Sequence, residues 1–303
     1  MIRIFANIYI AIRKSIRDVV INNEILDFYV GNFLVKIDIA IRKTGLLESK
    51  LNKKFIIHKD LYFYYTDEDK SFISFLITNN DYEKETRESI ESILEPGNTF
   101  IDLGANIGFF SLIASRVVGS EGKIYSFEPT PSTFRTLNKN VNKNNFLDRV
   151  VTEKIAISDK TEKVYLKLTE GSEMNSIIAD RDESTIEVDA MSLDDYFISK
   201  SVEKIDLIKM DIEGQELKAL QGAKKIINSN KYIKIIFEFH KEALSKNYMS
   251  GMEIFELLQS YGFNKFTVLV RVPYHIVPSD DFEKIRNISS KKNLNILAEK
   301  ISK

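Results

Sequence analysis

Three charged residues fall within five positions at Lys209-Met210-Asp211-Ile212-Glu213, and Gly214 follows. The stretch before them, Ile205-Asp206-Leu207-Ile208, is largely apolar. If it is a strand, residues two apart point to the same side, so Lys209 and Asp211 share a face and Glu213 enters the turn. Charges at the end of a buried strand are costly unless they pair or act. One reading is a Lys–carboxylate pair that satisfies itself. The other is an acceptor-facing site. Asp211 is then the first choice for general base or metal ligand, and Glu213 a second that orients a neighbour. Glu238 and His240 are also two apart and share a face. An imidazole can accept a proton near neutral pH, so His240 is a candidate base, with a hydrogen-bonded structural role as the alternative. Glu238 could serve a metal or a substrate hydroxyl.

A second constellation lies upstream, at Ile101-Asp102-Leu103-Gly104-Ala105-Asn106-Ile107-Gly108. Gly104 lets the backbone turn and approach a ligand closely. Gly108 opens a helix whose first amides face the same crevice, and Asp102 adds a carboxylate. Phe127-Glu128-Pro129 places an acid 24 positions after Gly104, about where a ribose is held by its hydroxyls after the second strand. A dinucleotide fingerprint wants glycine two positions after Gly104; here that residue is Asn106. S-adenosylmethionine has a ribose and adenine, carries positive charge and has no phosphate. It suits these carboxylates better than NAD does.

The elements that must position these residues follow a regular order. Strands are expected at 99–103, 123–127, 150–157, 205–210 and 233–239. Helices are expected at 83–94, 109–118, 132–144, 215–228 and 251–261. Alternation at these lengths implies βαβ units and a mostly parallel α/β sheet, with right-handed crossovers. Residues 266–272 and 274–277 read as a closing antiparallel pair. Short strand-like pieces at 163–168 and 185–188 read as an insertion. Upstream, 1–50 looks helical and 54–78 alternates like short strands. The tail after Asp280 is Lys-rich and reads as a solvated helix. The resulting division is an N-terminal extension at 1–80, a main domain at 81–280 and a tail at 281–303.

Composition narrows the chemistry. The 303 residues include no cysteine and three histidines, with 43 Lys+Arg against 44 Asp+Glu. Disulfides, Cys-ligated zinc, iron–sulfur clusters and thiol nucleophiles are excluded. A hard cation held by carboxylates, such as Mg²⁺, remains open. The net charge of -1 gives no global reason to bind nucleic acid.

The block from Asp102 to Ser111 resembles the FkbM family of S-adenosylmethionine-dependent methyltransferases. So do Phe127-Glu128-Pro129-x-Pro131-x-x-Phe134-x-x-Leu137-x-x-Asn140, Ile155-Ala156-Ile157-Ser158-Asp159, Leu193-Asp194, and Ile205 through Gly214-x-Glu216. Tyr82-Glu83-x-Glu85-Thr86 is similar to the family's lead-in. The likeness covers roughly 80–240. It implies a Rossmann-like methyltransferase fold and O-methylation of a sugar, glycan or secondary metabolite. It places Asp102, Gly104 and Asn106 around the methionyl part, Glu128 on the ribose, and Ala156 and Ser158 near adenine, where Ser158 or Asp159 could reach the exocyclic amine or simply cap a turn. Tyr82 and Glu83 either close over the donor or cap a helix.

A nucleic-acid methyltransferase is the alternative enzyme. The neutral charge and the lack of an Asn/Asp-Pro-Pro-aromatic tetrad count against it. A non-catalytic donor-binding partner subunit would not need to keep Lys209-x-Asp211-x-Glu213-Gly214. The uncharged run Ile4–Ile12 is too short to span a bilayer and lacks a signal-cleavage site, so the reading is cytoplasmic. Residues 1–20 form an amphipathic stripe that either packs on the domain or lies on anionic lipid.

Overall fold

The computed structural model describes residues 55–66, 69, 76, 81–168, 176–178, 184–198, 200, 202, 204–239, 251–269, 275–277 and 294–301, together with residue 12. The helical reading of 1–50 and the lipid-facing reading of 1–20 lie outside the described residues, as does His240.

A hairpin of β1 (Phe55–His58) and β2 (Leu61–Tyr64) precedes α1 (Lys84–Ile93). Then β3 (Thr99–Leu103), α2 (Phe109–Val118), β4 (Lys123–Phe127), α3 (Pro131–Lys143) and β5 (Val150–Glu153) alternate. Next come β6 (Ala156–Ile157), β7 (Glu162–Lys167), β8 (Ser176–Ile178), β9 (Thr185–Met191) and α4 (Leu193–Ile198). The chain continues through β10 (Leu207–Met210), α5 (Glu216–Gln221), α6 (Lys224–Ser229), β11 (Lys234–Phe239), α7 (Met252–Ser260), β12 (Lys265–Leu269), β13 (His275–Val277) and β14 (Leu294–Glu299).

Among the described residues the main sheet runs β13-β12-β14-β11-β10-β3-β4-β5. Strands β11, β10, β3, β4 and β5 are parallel to one another, as the alternation implies. Every residue of β10 is buried, as expected for a central strand covered on both faces. Ile208 and Met210 enter one core with Ile101 and Leu103. Leu207 enters the other with Phe100 and Ile124. No described helix is long and apolar enough to cross a membrane.

Three elements depart from expectation. The strand expected at 150–157 is split. β5 stays in the main sheet, while β6 joins a second sheet ordered β6-β9-β7-β8, which holds the insertion. The helix expected at 215–228 is two helices, because the Asp194 carboxylate accepts N–H bonds from Lys225 and Ile226 at 2.9 Å each and starts α6 afresh.

The third departure is a correction. Residues 294–299 are not a solvated helix. They form β14, lodged antiparallel between β11 and β12. The expected antiparallel pairing of β12 with β13 does occur, but β14 is what joins that pair to the parallel strands. Leu294, Ile296 and Ala298 alternate into the core. Lys291, Lys292 and Lys300 flank this short period-two pattern and conceal it in the sequence.

The hairpin is anchored by Asn140 of α3 and by Asn144, which caps that helix. Asn140 accepts from the Tyr64 N–H at 2.6 Å and donates to the Tyr64 carbonyl at 3.1 Å. Asn144 does the same for Tyr62, at 2.9 and 2.8 Å. Four helical residues rise about 6 Å and two strand residues about 6.6 Å, so side-chain amides at i and i+4 can pair with a strand edge.

Candidate active site

A cavity of about 420 Å³ opens at the carboxyl ends of the parallel strands, the usual ligand position in such sheets. Gly104, Asn106 and Glu128 line one part, and Lys209, Asp211, Glu213 and Glu238 another. Ala156 and Ile157 close it on the side of the second sheet, with Leu166 and Ile177.

The turn after β3 requires its glycine. Gly104 has φ +76°, and a Cβ there would stand 1.9 Å from the Asp211 carbonyl oxygen. That close approach brings the β10 turn against the β3 turn. Asn106 also adopts a left-handed conformation, φ 49°, which is least costly for Asn and Asp among residues with a side chain. It aims the Asn106 N–H at Glu128 Oε2, 3.0 Å away. Glu128 Oε1 accepts from the Thr130 N–H at 2.8 Å. The carboxylate is therefore oriented by two backbone amides and by the Thr130 side chain, which also bonds to it. Burial pushes the Glu128 carboxyl up to about 7, against the lowering effect of these bonds. Asn140 also donates to the Ile107 carbonyl at 2.8 Å, so α3 steadies the turn from behind.

The other part of the cavity is acidic. Lys209 is 1% exposed. Its ammonium lies 3.0 Å from Asp211 Oδ2 and 4.6 Å from the centre of the Phe110 ring. Burial works against its charge, but the Asp211, Asp102 and Glu83 carboxylates more than offset that and raise its pKa. Oxygens of Asp211, Glu213 and Glu238 lie within 4.8 Å of one another. Burial, with Asp211, Glu213 and Glu83 nearby, pushes Glu238 up to about 10. Burial and Asp211 push Glu83 up to about 7. Behind the turn, Glu216 Oε1 accepts from the Ile212 and Gly214 amides at 3.2 and 3.4 Å. It stitches together the Asp211–Gly214 segment, in which Glu213 is left-handed at φ 53°.

Of the residues expected from sequence, Gly104, Asn106, Glu128, Ala156, Lys209, Asp211 and Glu213 line this cavity. Three others do not, and each has a physical reason. Asp102 is wholly buried behind the wall. It accepts from Ser111 Oγ at 2.5 Å and lies beside Lys209 on the neighbouring strand. Gly108 serves packing, since a Cβ there would meet Leu137 Cδ1 at 2.7 Å. Ser158 is one residue past the lining and donates to Asp159 at 3.0 Å. Glu83 lines the cavity, and its carbonyl accepts the Arg87 N–H at 2.9 Å to begin α1. Asn295, which donates to Glu83 Oε2 at 2.8 Å, was not foreseen.

Residues 102–265 match the Methyltransferase FkbM domain, more than half of the chain. The chain belongs to the FkbM methyltransferase family. The FkbM match runs from Asp102 to Lys265 and so includes the glycine turn, Glu128 and the Lys209–Glu213 segment. Methyltransferase sdnD of Sordaria araneosa is 28% identical over 159 residues, 42% of this chain and 61% of that protein. The 2-O-methyltransferase NoeI of Sinorhizobium fredii is 23% identical, over 58% of this chain and 76% of NoeI. The hexuronic acid methyltransferase AglP of Haloferax volcanii is 25% identical, over 48% and 57%. The matches thus span less than two thirds of sdnD and AglP. Among solved structures, the O-methyltransferase from Bacillus cereus in complex with SAH aligns over 99% of this chain and 100% of its own, at 14% identity and TM-score 0.47. The FkbM domain here has a Rossmann-like methyltransferase fold, with a mainly parallel sheet closed by antiparallel strands.

Proposed function

We propose that this FkbM protein transfers the methyl group of S-adenosylmethionine to a hydroxyl of a sugar, glycan or secondary metabolite. The observation that carries the reading is one cavity holding both a backbone-oriented Glu128 and the Lys209–Asp211 pair. Glu128 fits a ribose diol. Bound S-adenosylmethionine supplies a methyl that is already activated, so the chain's work is alignment and proton removal. Asp211 accepts the hydroxyl proton as the oxygen attacks. Lys209 holds that carboxylate in place. NoeI is a 2-O-methyltransferase and AglP a hexuronic acid methyltransferase, which supports a sugar-type acceptor.

The test is to incubate the protein with S-adenosylmethionine labelled in its methyl group and extract fractions enriched in glycans or small metabolites. Label that is stable to base and recovered in a sugar or alcohol fraction supports the reading. Label confined to nucleic acid would overturn it.

A second reading concerns a cation. Asp211, Glu213 and Glu238 are spaced to share a divalent ion such as Mg²⁺, which would lower the acceptor hydroxyl's pKa. Loss of transfer in EDTA with recovery on added Mg²⁺ favours this reading. Full transfer in EDTA assigns proton removal to Asp211 alone.

A further inference from the structure

Asn295 sits in β14 opposite Glu238 of β11. Its side-chain amide reaches back 212 positions to Glu83 Oε2 at 2.8 Å. Glu83 stands at the start of α1 with φ 39° and ψ 58°, a left-handed conformation that a side-chain-bearing residue keeps only when its surroundings hold it. The bond ties the start of α1 to the sheet beside the cavity. Glu83, Asp211, Glu213 and Glu238 line that end, and Lys209 is the cation among them. Carboxyl groups therefore outnumber ammonium groups where the cavity meets β10 and β11.

We infer that Asn295 is a positioning residue, which holds the Glu83 carboxylate so that it favours the positively charged sulfonium donor over the neutral thioether product. This rests on the proposed use of S-adenosylmethionine. A carboxylate within reach of the sulfonium strengthens donor binding and leaves the product, which has lost that charge, less tightly held. Asn295 lies outside the FkbM match.

The experiment is calorimetric titration of the full chain with S-adenosylmethionine and, separately, S-adenosylhomocysteine, at pH 8 in EDTA. Asn295→Ala should weaken S-adenosylmethionine at least fivefold and S-adenosylhomocysteine less than twofold. Glu83→Gln should give the same split without altering β14, and so covers the case in which the first variant folds poorly. The double variant should lose nothing further, because both changes remove one interaction. Equal losses for the two ligands, additive losses in the double variant, or unchanged S-adenosylmethionine affinity would overturn the inference. Wild type that binds neither ligand overturns the donor reading with it. Wild type that binds both, with variants that show no split, overturns the inference alone.

Discussion

The Asn106 backbone N–H donates to Glu128 Oε2 at 3.0 Å, so the turn after β3 directly orients the carboxylate after β4. Both halves of the donor site thus depend on one left-handed asparagine. Glu128→Ala removes the ribose acceptor and leaves this amide unpaired. Donor affinity should fall about 10- to 100-fold, the range for hydrogen bonds to a charged group. Calorimetry with S-adenosylmethionine measures it, and an unchanged affinity removes Glu128 from the site.

The same carboxyl predicts a pH dependence. Burial places Glu128 near 7, and its ionised form is the better acceptor for ribose hydroxyls. Bound proton and bound donor therefore oppose each other. Affinity should tighten as pH rises from 6 to 8, and Glu128→Gln should flatten that slope. A wild-type affinity independent of pH across this range counts against the assignment.

Asp211→Asn keeps shape but removes basicity. Transfer to an acceptor found by methyl labelling should fall by about 100-fold or more, while donor affinity survives through Glu128. Equal single-turnover rates for variant and wild type would make Lys209-Asp211-Glu213 a structural turn.

Glu216 predicts stability. Its carboxyl is fully buried, Oε2 has no hydrogen-bond partner among the described residues, and burial pushes it up to about 7. Between about 4.5 and 7 the folded chain holds a proton that the unfolded chain releases, so this contribution is present at low pH and lost as pH rises through 7. Glu216→Gln cannot titrate. Its stability relative to wild type should improve by on the order of 2–3 kcal/mol from pH 4.5 to 8, read by urea unfolding at each pH. A constant difference would disprove the shift.

Asn140→Leu keeps the branching of the side chain, though it is bulkier, and removes bonds to the Tyr64 N–H, the Tyr64 carbonyl and the Ile107 carbonyl. Leaving such groups unpaired should cost about 3 kcal/mol or more. A loss below about 1 kcal/mol in urea unfolding would show that the hairpin does not depend on α3.

The parallel strands and the donor turn were legible because their signals are local. Gly104-x-Asn106-x-Gly108 and Glu128 each follow a strand directly, and the chain needs no distant partner to present them. Direction within the turn was less legible. Asp102 and Ser158 have suitable chemistry but bond to Ser111 and Asp159 outside the cavity lining, and one step along the chain decides which side a residue faces. Long-range partners were not legible at all. The place of Asn295 depends on β14 finding β11 and β12, and the lysines around it mask three alternating apolar residues. Glu216 carried a signal, its spacing from Asp211 in Asp211-x-Glu213-Gly214-x-Glu216, but spacing alone does not separate a stitch from a ligand.

β14 also imposes an order of assembly. It enters between β11 and β12, two strands that precede it in the chain, so the folded sheet cannot be joined across them without β14. Until β14 enters, β11 and β12 present bare edges to each other and to other chains, the kind of edge that invites aggregation. Pairings this distant in sequence also form slowly. A chain halted after β12 would carry the glycine turn and Glu128 yet lack Asn295, the partner of Glu83 at the acidic end of the cavity.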